Sequence, residues 1–215
     1  MDARLPPGNR PAPTEPRLNS NSEDQAIIRI TDLYFRYKRA ARPVFDGLVL
    51  EVKRGERLAV LGPSEAGKST LALCLQGLIP RMIRGEFRGR VEVDGYLTHT
   101  CLPRDLAGRV GMLFQDFEAQ LFCTRVDQEA AFGPENLGLP REELQRRVQE
   151  SLALMGLSGL DHRDPATLSG GQKQLLALAA VLALEPPLLV LDEPVTDLDP
   201  LRVEELLDTL NRLGR

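Results

Sequence analysis

"GPSEAGKST", Gly62 to Thr70, is the stretch that decides the fold. It fits the spacing G-x-x-x-x-G-K-S/T, with Gly62, Gly67, Lys68 and Ser69 at the fixed positions. The apolar run "RLAVLG" leads into it and reads as a strand, and "STLALCLQGLI" leads out and reads as a helix. Glycines let backbone N–H groups curl around phosphate oxygens, and a helix start presents the positive end of its dipole. Lys68 is placed to reach the β- and γ-phosphates, and the Ser69 hydroxyl to take a place on Mg²⁺. The loop from Gly62 through Pro63, Ser64, Glu65, Ala66, Gly67, Lys68 and Ser69 to Thr70 is therefore expected to hold a nucleotide. A glycine-rich turn that matches by chance is the plain alternative, and the strand-then-helix context counts against it.

Glu65 puts a negative charge where phosphates are expected. Lys68, Mg²⁺ and the ring of N–H dipoles dominate the local field, so a Glu65 side chain turned to water is compatible with binding. Two costs are foreseen: a backbone angle that only glycine likes, and weaker affinity for ATP.

"LLVLDEP", Leu188 to Pro194, is an apolar run ending in two carboxylates. The run predicts a buried parallel strand whose carboxyl end opens on the ligand crevice. There Asp192 can hold the Mg²⁺ shell, and Glu193 can orient and deprotonate an attacking water. A strand ending in a polar turn is the bland alternative. "LSGGQ", Leu168 to Gln172, precedes a long apolar helix. Ser169, Gly170, Gly171 and Gln172 thus set a hydroxyl and N–H groups at a second helix start, a second anion site. One nucleotide rarely needs two such sites from one chain, which suggests that the second serves another subunit.

The rest of the chain frames these stretches. With 215 residues, 42% hydrophobic and 27% charged, it suits one α/β domain with a smaller insertion. A net charge of −4 argues against nucleic acid as the main partner. Cys74, Cys101 and Cys123 form no CxxC pair, which fits a reducing compartment. The longest apolar run, Leu175 to Leu184, is about half of the ~20 residues a bilayer needs. Work at a membrane then requires a tethering partner. Residues 1–25, with five prolines, read as a disordered leader. "AIIRITDLYFRY", "LVLEVKRGE", "GRVEVDG" and "RVGMLFQ" read as strands, with a turn at Asp94-Gly95. Leu144, Val148, Leu152 and Met155 form one helical stripe inside a helical insertion of roughly 116–168. "PLRVEELLDTLNRLGR" closes the chain as an amphipathic helix, and alternation of strand and helix implies a mostly parallel sheet.

Taken together and in this order, "GPSEAGKST", "LSGGQ" and "LLVLDEP" resemble the ATPase domain of ABC transporters, over about residues 26–215. The resemblance implies an α/β P-loop NTPase fold: a mostly parallel core sheet, an antiparallel β subdomain and an inserted α-helical subdomain, incomplete at the C-terminus. It implies that Tyr37 stacks on adenine, that Gln115 senses Mg²⁺ and the transport partner, and that Asp199 in "TDLDP" lies in a loop crossing a dimer interface. Ser169, Gly170, Gly171, Gln172 and Asp199 would act in trans, on the nucleotide of a second ATPase subunit, identical or sister, or of a fused second cassette.

Asp116 to Pro140, with Gln120-Leu121-Phe122 and Ala131 to Asn136, resembles the energy-coupling factor branch. There the insertion docks a polytopic membrane subunit, and Leu121, Phe122 and Phe132 would line the groove, unless they form the insertion's own small core. The implied role is an ATP-hydrolysing subunit of a micronutrient importer, peripheral on the cytoplasmic face of the plasma membrane. Alternatives are a soluble ABC protein acting on nucleic acid or ribosomes, and a degenerate cassette that binds ATP without hydrolysing it.

The sequence departs from the family at Leu175, where a basic residue is usual, and at "VTDLD". It also lacks the switch histidine, since His99 and His162 fall elsewhere, in local structural roles. A truncated chain, or the front of a longer one, is the expectation, with weak or no hydrolysis by residues 1–215 alone.

Overall fold

The structure, a computed structural model, describes residues 26–213; the expected leader at 1–25 lies outside the described residues. The chain runs β1 (Ala26–Tyr37), β2 (Phe45–Lys53), α1 (Lys68–Leu75), the short α2 (Leu78–Arg81), β3 (Gly85–Val93), β4 (Tyr96–Leu97) and α3 (Pro103–Leu106). Then follow β5 (Val110–Leu113), α4 (Val126–Asn136), α5 (Arg141–Leu154), α6 (Gly170–Leu182), β6 (Leu188–Leu191) and α7 (Pro200–Leu213).

Four strands form an antiparallel sheet in the order β2-β1-β3-β4. In β1 the buried residues Ile28 and Ile30 keep a period of two, but the next pair, Leu33 and Phe35, is out of phase with them. A one-residue offset sends side chains to the opposite face. Here an extra β1 residue between Thr31 and Tyr34 absorbs the offset, as Thr31 pairs with Arg90 and Tyr34 with Arg88. That bulge, with Asp32 at φ 50, keeps all four side chains in one core. Opposite it a Cβ on Gly89 would meet the Asp32 carbonyl oxygen at 2.1 Å, so only glycine fits. The expected turn between β3 and β4 is present, with positive φ at both Asp94 and Gly95. The Asp94 carboxylate lies between the guanidiniums of Arg54 and Arg109, and Arg109 also donates to the Tyr96 hydroxyl at 3.0 Å. This clamp joins the hairpin to the residue preceding β5.

The helices of the 116–168 stretch pack on α6. Val148, Leu152 and Met155 of the predicted stripe are buried, and Leu144 is partly buried against them. Leu175, Leu176, Leu178 and Ala179 of α6 complete that core, and Leu206 brings in α7.

Parallel pairing is confined, among the described residues, to a separate two-stranded sheet of β5 and β6, in register from Val110 opposite Leu188 to Leu113 opposite Leu191. β5 is fully buried, but β6, expected to be buried, is only half so. The cause lies on its far side. The run 57–62, expected to be a strand, pairs with no strand among the described residues. Leu58, Val60 and Leu61 are 48%, 47% and 91% exposed. A strand exists by its ladder, and between this run and β6 there is open space: a cleft of about 1230 Å³, lined by both segments and by α7. Arg57 is tied to α7 instead, through the side chain and carbonyl of Asn211.

Candidate nucleotide site

The 62–70 loop is built to receive an anion. Gly67 has φ +98, and a Cβ there would meet Val44 Cγ1 at 2.6 Å, so the backbone closes against β2 as only glycine allows. The N–H groups of Gly67, Lys68, Ser69 and Thr70 have no acceptor within the described chain, and α1 has no side-chain cap. Four unsatisfied donors at one helix start suit phosphate oxygens. The Lys68 Nζ donates to the carbonyls of Gly62 (3.0 Å) and Pro63 (2.9 Å), so its ammonium already sits over the loop. Glu65 is exposed, has φ 66 and makes no side-chain hydrogen bond or ion pair among the described residues; the foreseen glycine-favouring backbone angle is present.

Across the cleft, the parallel ladder continues one step past β6, with Asp192 N–H donating to Leu113 O at 2.9 Å. That bond brings the ends of β5 and β6 level. Gln115, two residues past β5, then donates through Nε2 to Glu193 Oε2 at 3.0 Å. Glu193 has φ 54, a left-handed backbone that turns its side chain out of the strand direction. Gly62, Lys68, Asp192 and Glu193 line one cleft. These residues fit Mg-ATP: donors and a cation for the phosphates, and the Ser69 hydroxyl, the Asp192 carboxylate and the Gln115 amide for the metal.

Tyr37, at the end of β1, shares a hydrogen bond with Thr70 Oγ1 at 3.0 Å and packs edge-on against Phe35. Its ring thus sits beside the first turn of α1. Ser169, Gly170, Gly171 and Gln172 do not line the cleft that holds Lys68. Ser169 caps α6 in a reciprocal pair: its Oγ accepts from Gln172 N–H (3.3 Å), and Gln172 Oε1 accepts from Ser169 N–H (3.1 Å). The N–H groups of Gly170 and Gly171 have no acceptor among the described residues. A Cβ on Gly171 would approach the Asp197 carbonyl at 3.2 Å, which sets the 196–199 turn against the start of α6. Asp199 itself caps α7, accepting from Leu201 and Arg202 N–H at 3.1 Å each.

Two supporting residues had no role assigned from the sequence. Gln120 accepts from Phe114 N–H (2.9 Å) and donates to Met112 O (3.1 Å), fixing the chain on both sides of the β5 end. Glu129 is 3% exposed and accepts from the N–H groups of Phe122 (2.9 Å) and Cys123 (2.7 Å). Local sequence carries no sign of either bond, except that an acid in the first turn of a helix suits its dipole. Against them stand Phe122 and Phe132, 60% and 45% exposed, in edge-to-face contact at 4.5 Å. They border a small groove with Ala177, Ala180 and Leu184.

Loop, carboxylate pair and sheet define a P-loop nucleotide-binding protein. The comparisons narrow the class. The ABC transporter family description matches residues 45–196, and the chain belongs to that family as an ATPase domain. A protein of Caldanaerobacter subterraneus subsp. tengcongensis named as an ABC transporter ATP-binding protein is 50% identical over 179 residues, 83% of this chain and 31% of its own length. One of Pyrococcus horikoshii with the same description is 44% identical over 88% of this chain and 66% of its own length. The chain thus spans a third to two thirds of these relatives. Among solved structures, cbiO1 of Clostridium perfringens, part of the ABC transporter complex cbiONQ, superposes with a TM-score of 0.76 at 33% identity, covering 89% of this chain and 76% of its own. The ATP-binding cassette MJ0796, a dimer in a post-hydrolysis state with ADP and Pi, gives 0.76 at 25% identity over 87% and 83%.

Proposed function

We propose that the chain is the ATP-binding, ATP-hydrolysing part of an energy-coupling factor importer for a micronutrient, peripheral on the cytoplasmic face of the plasma membrane. One observation carries the ATPase reading: Lys68 and Glu193 line the same cleft, while the glycine-rich start of α6 lies outside it with its N–H groups free. Such an arrangement calls for a second ATPase subunit or cassette, whose own α6 start would face this loop. The likeness to the dimeric MJ0796 supports that pairing. The branch is supported by the likeness to cbiO1 and by the exposed Phe122–Phe132 pair, which offers an apolar seat to a polytopic membrane subunit.

In the assembled site, Lys68 and the loop N–H groups hold the phosphates, and Tyr37 flanks the base. Bound Mg²⁺, held by Ser69, Asp192 and Gln115, supplies charge neutralisation at the phosphates. Glu193 accepts a proton from the attacking water. Partner-subunit copies of Ser169, Gly170, Gly171, Gln172 and Asp199 close over the phosphates. No role for nucleic acid is proposed.

The test is calorimetric titration of the chain with ATP and Mg²⁺, for wild type and Lys68→Ala. Saturable wild-type binding that the substitution weakens by more than tenfold supports the reading. Absence of wild-type binding overturns it. Co-purification of the assembled protein with a polytopic membrane subunit tests the branch, and salt-sensitive nucleic-acid binding in its place refutes it.

A further inference from the structure

Within 62–70 the formal charges cancel, for Lys68 is the one cation and Glu65 the one anion. Asp192 and Glu193 add two carboxylates across the cleft from Lys68. With Glu65 on the loop itself, three acids belong to the loop and to the strand end opposite it, before any nucleotide arrives. Of the three, Asp192 and Glu193 are expected to serve the metal and the water, and Glu65 serves neither. Its carboxylate has no partner among the described residues, and φ 66 fixes its Cα–Cβ direction within the loop. Three Cα–Cα steps separate it from Lys68, at most ~11 Å of chain. That is about a Debye length, so its charge is felt at the phosphates but only in part.

We propose that Glu65 is a specificity-determining residue that makes nucleotide retention conditional on the divalent cation. The inference rests on the nucleotide-binding reading above. Free ATP carries four negative charges at neutral pH and its Mg²⁺ complex two. A fixed negative charge on the loop opposes the first about twice as strongly as the second. At the separation and screening just given, the differential is on the order of three- to tenfold in affinity. The left-handed backbone is a second, separate effect. It disfavours the loop conformation whichever ligand form is present, because a side chain in that region is strained where glycine is not.

The two effects separate by substitution. Equilibrium binding of ATP is measured in excess Mg²⁺ and in EDTA, at low and high salt, for wild type, Glu65→Gln, Glu65→Asp and Glu65→Gly. The ratio of the two dissociation constants is the readout, and no turnover is required. In Glu65→Gln the ratio falls three- to tenfold, through tighter binding in EDTA, and the difference from wild type shrinks at high salt. Glu65→Asp keeps the wild-type ratio. Glu65→Gly lowers the ratio like the glutamine and also tightens binding equally in both conditions. A ratio within twofold of wild type in Glu65→Gln, with binding intact, overturns the inference and leaves the nucleotide site standing. No ATP binding by any variant in either condition overturns both.

Discussion

Gln115 and Glu193 lie 78 positions apart in the chain, yet the amide of one donates to the carboxylate of the other at 3.0 Å. The parallel pairing of β5 with β6 brings them together, because both residues follow the carboxyl end of a strand. The bond uses only Nε2 of Gln115, so its Oε1 is left for a cation. On the proposed function, Gln115 would align the metal and the base together.

The pair gives the first expected outcome. In the assembled, hydrolysing protein, Glu193→Gln keeps ATP binding and loses turnover by about 10²–10⁴-fold. It then accumulates as the closed dimer. Gln115→Ala leaves the base present but unaligned, and a loss of about 10²-fold is expected from misplacement alone. Single-turnover ATPase assays beside binding isotherms check both, and wild-type turnover in Glu193→Gln would remove it from the proposed role.

Ser169 offers a stability test independent of catalysis. Its Oγ satisfies Gln172 N–H in the reciprocal cap of α6. Ser169→Ala should lower stability by about 1 kcal/mol, and Ser169→Asp, which keeps an acceptor, by less. Chemical denaturation with an unchanged m-value reads the difference.

At the Phe122–Phe132 pair the prediction concerns a partner. Phe122→Asp removes the more exposed ring and puts a charge on the groove. Co-purification with the proposed membrane subunit should fall by at least tenfold, while ATP affinity of the isolated chain stays within twofold. Unchanged co-purification would place the docking surface elsewhere.

Acid titration tests the α5 ion pairs. Hydrogen bonds from Arg146 and then Arg147 hold the Glu143 carboxyl down at about 2. A depressed carboxylate stabilises the fold fully above its unfolded value near 4.5, and that contribution drains away as pH falls toward about 2. Carbon-13 NMR of the Glu143 side chain should show no protonation at pH 4, and Arg146→Ala should move its midpoint upward. A midpoint already near 4.5 in the wild type would mean that the pairs are not formed in solution.

Much of the architecture was legible because its causes are local. The limits of β1 coincide with "AIIRITDLYFRY", the Asp94-Gly95 turn closes the predicted hairpin, and the α5 stripe is the one buried. The loop and the 192–193 carboxylates were legible for the same reason: each motif occupies a few consecutive residues. What local pattern could not convey is who the neighbours are. "RLAVLG" has the composition of a strand, but only a ladder makes one, and none reaches it among the described residues. The buried carboxylate of Glu129 and the double bond made by Gln120 depend on chain segments brought together by the fold. Asp199 carries a visible duty inside its own chain, as the cap of α7, which motif reading did not suggest.

The unladdered run before Gly62 has a thermodynamic corollary. The phosphate grip hangs from a tether whose amides have no ladder partner among the described residues, so those of 58–61 should exchange with deuterium far faster than the amides of β5. Capture of a triphosphate must then include the freezing of that tether. Calorimetry should record it as a favourable enthalpy heavily offset by lost entropy. Anything that laid a further strand between the tether and β6 would pre-freeze it and raise affinity without touching the ligand.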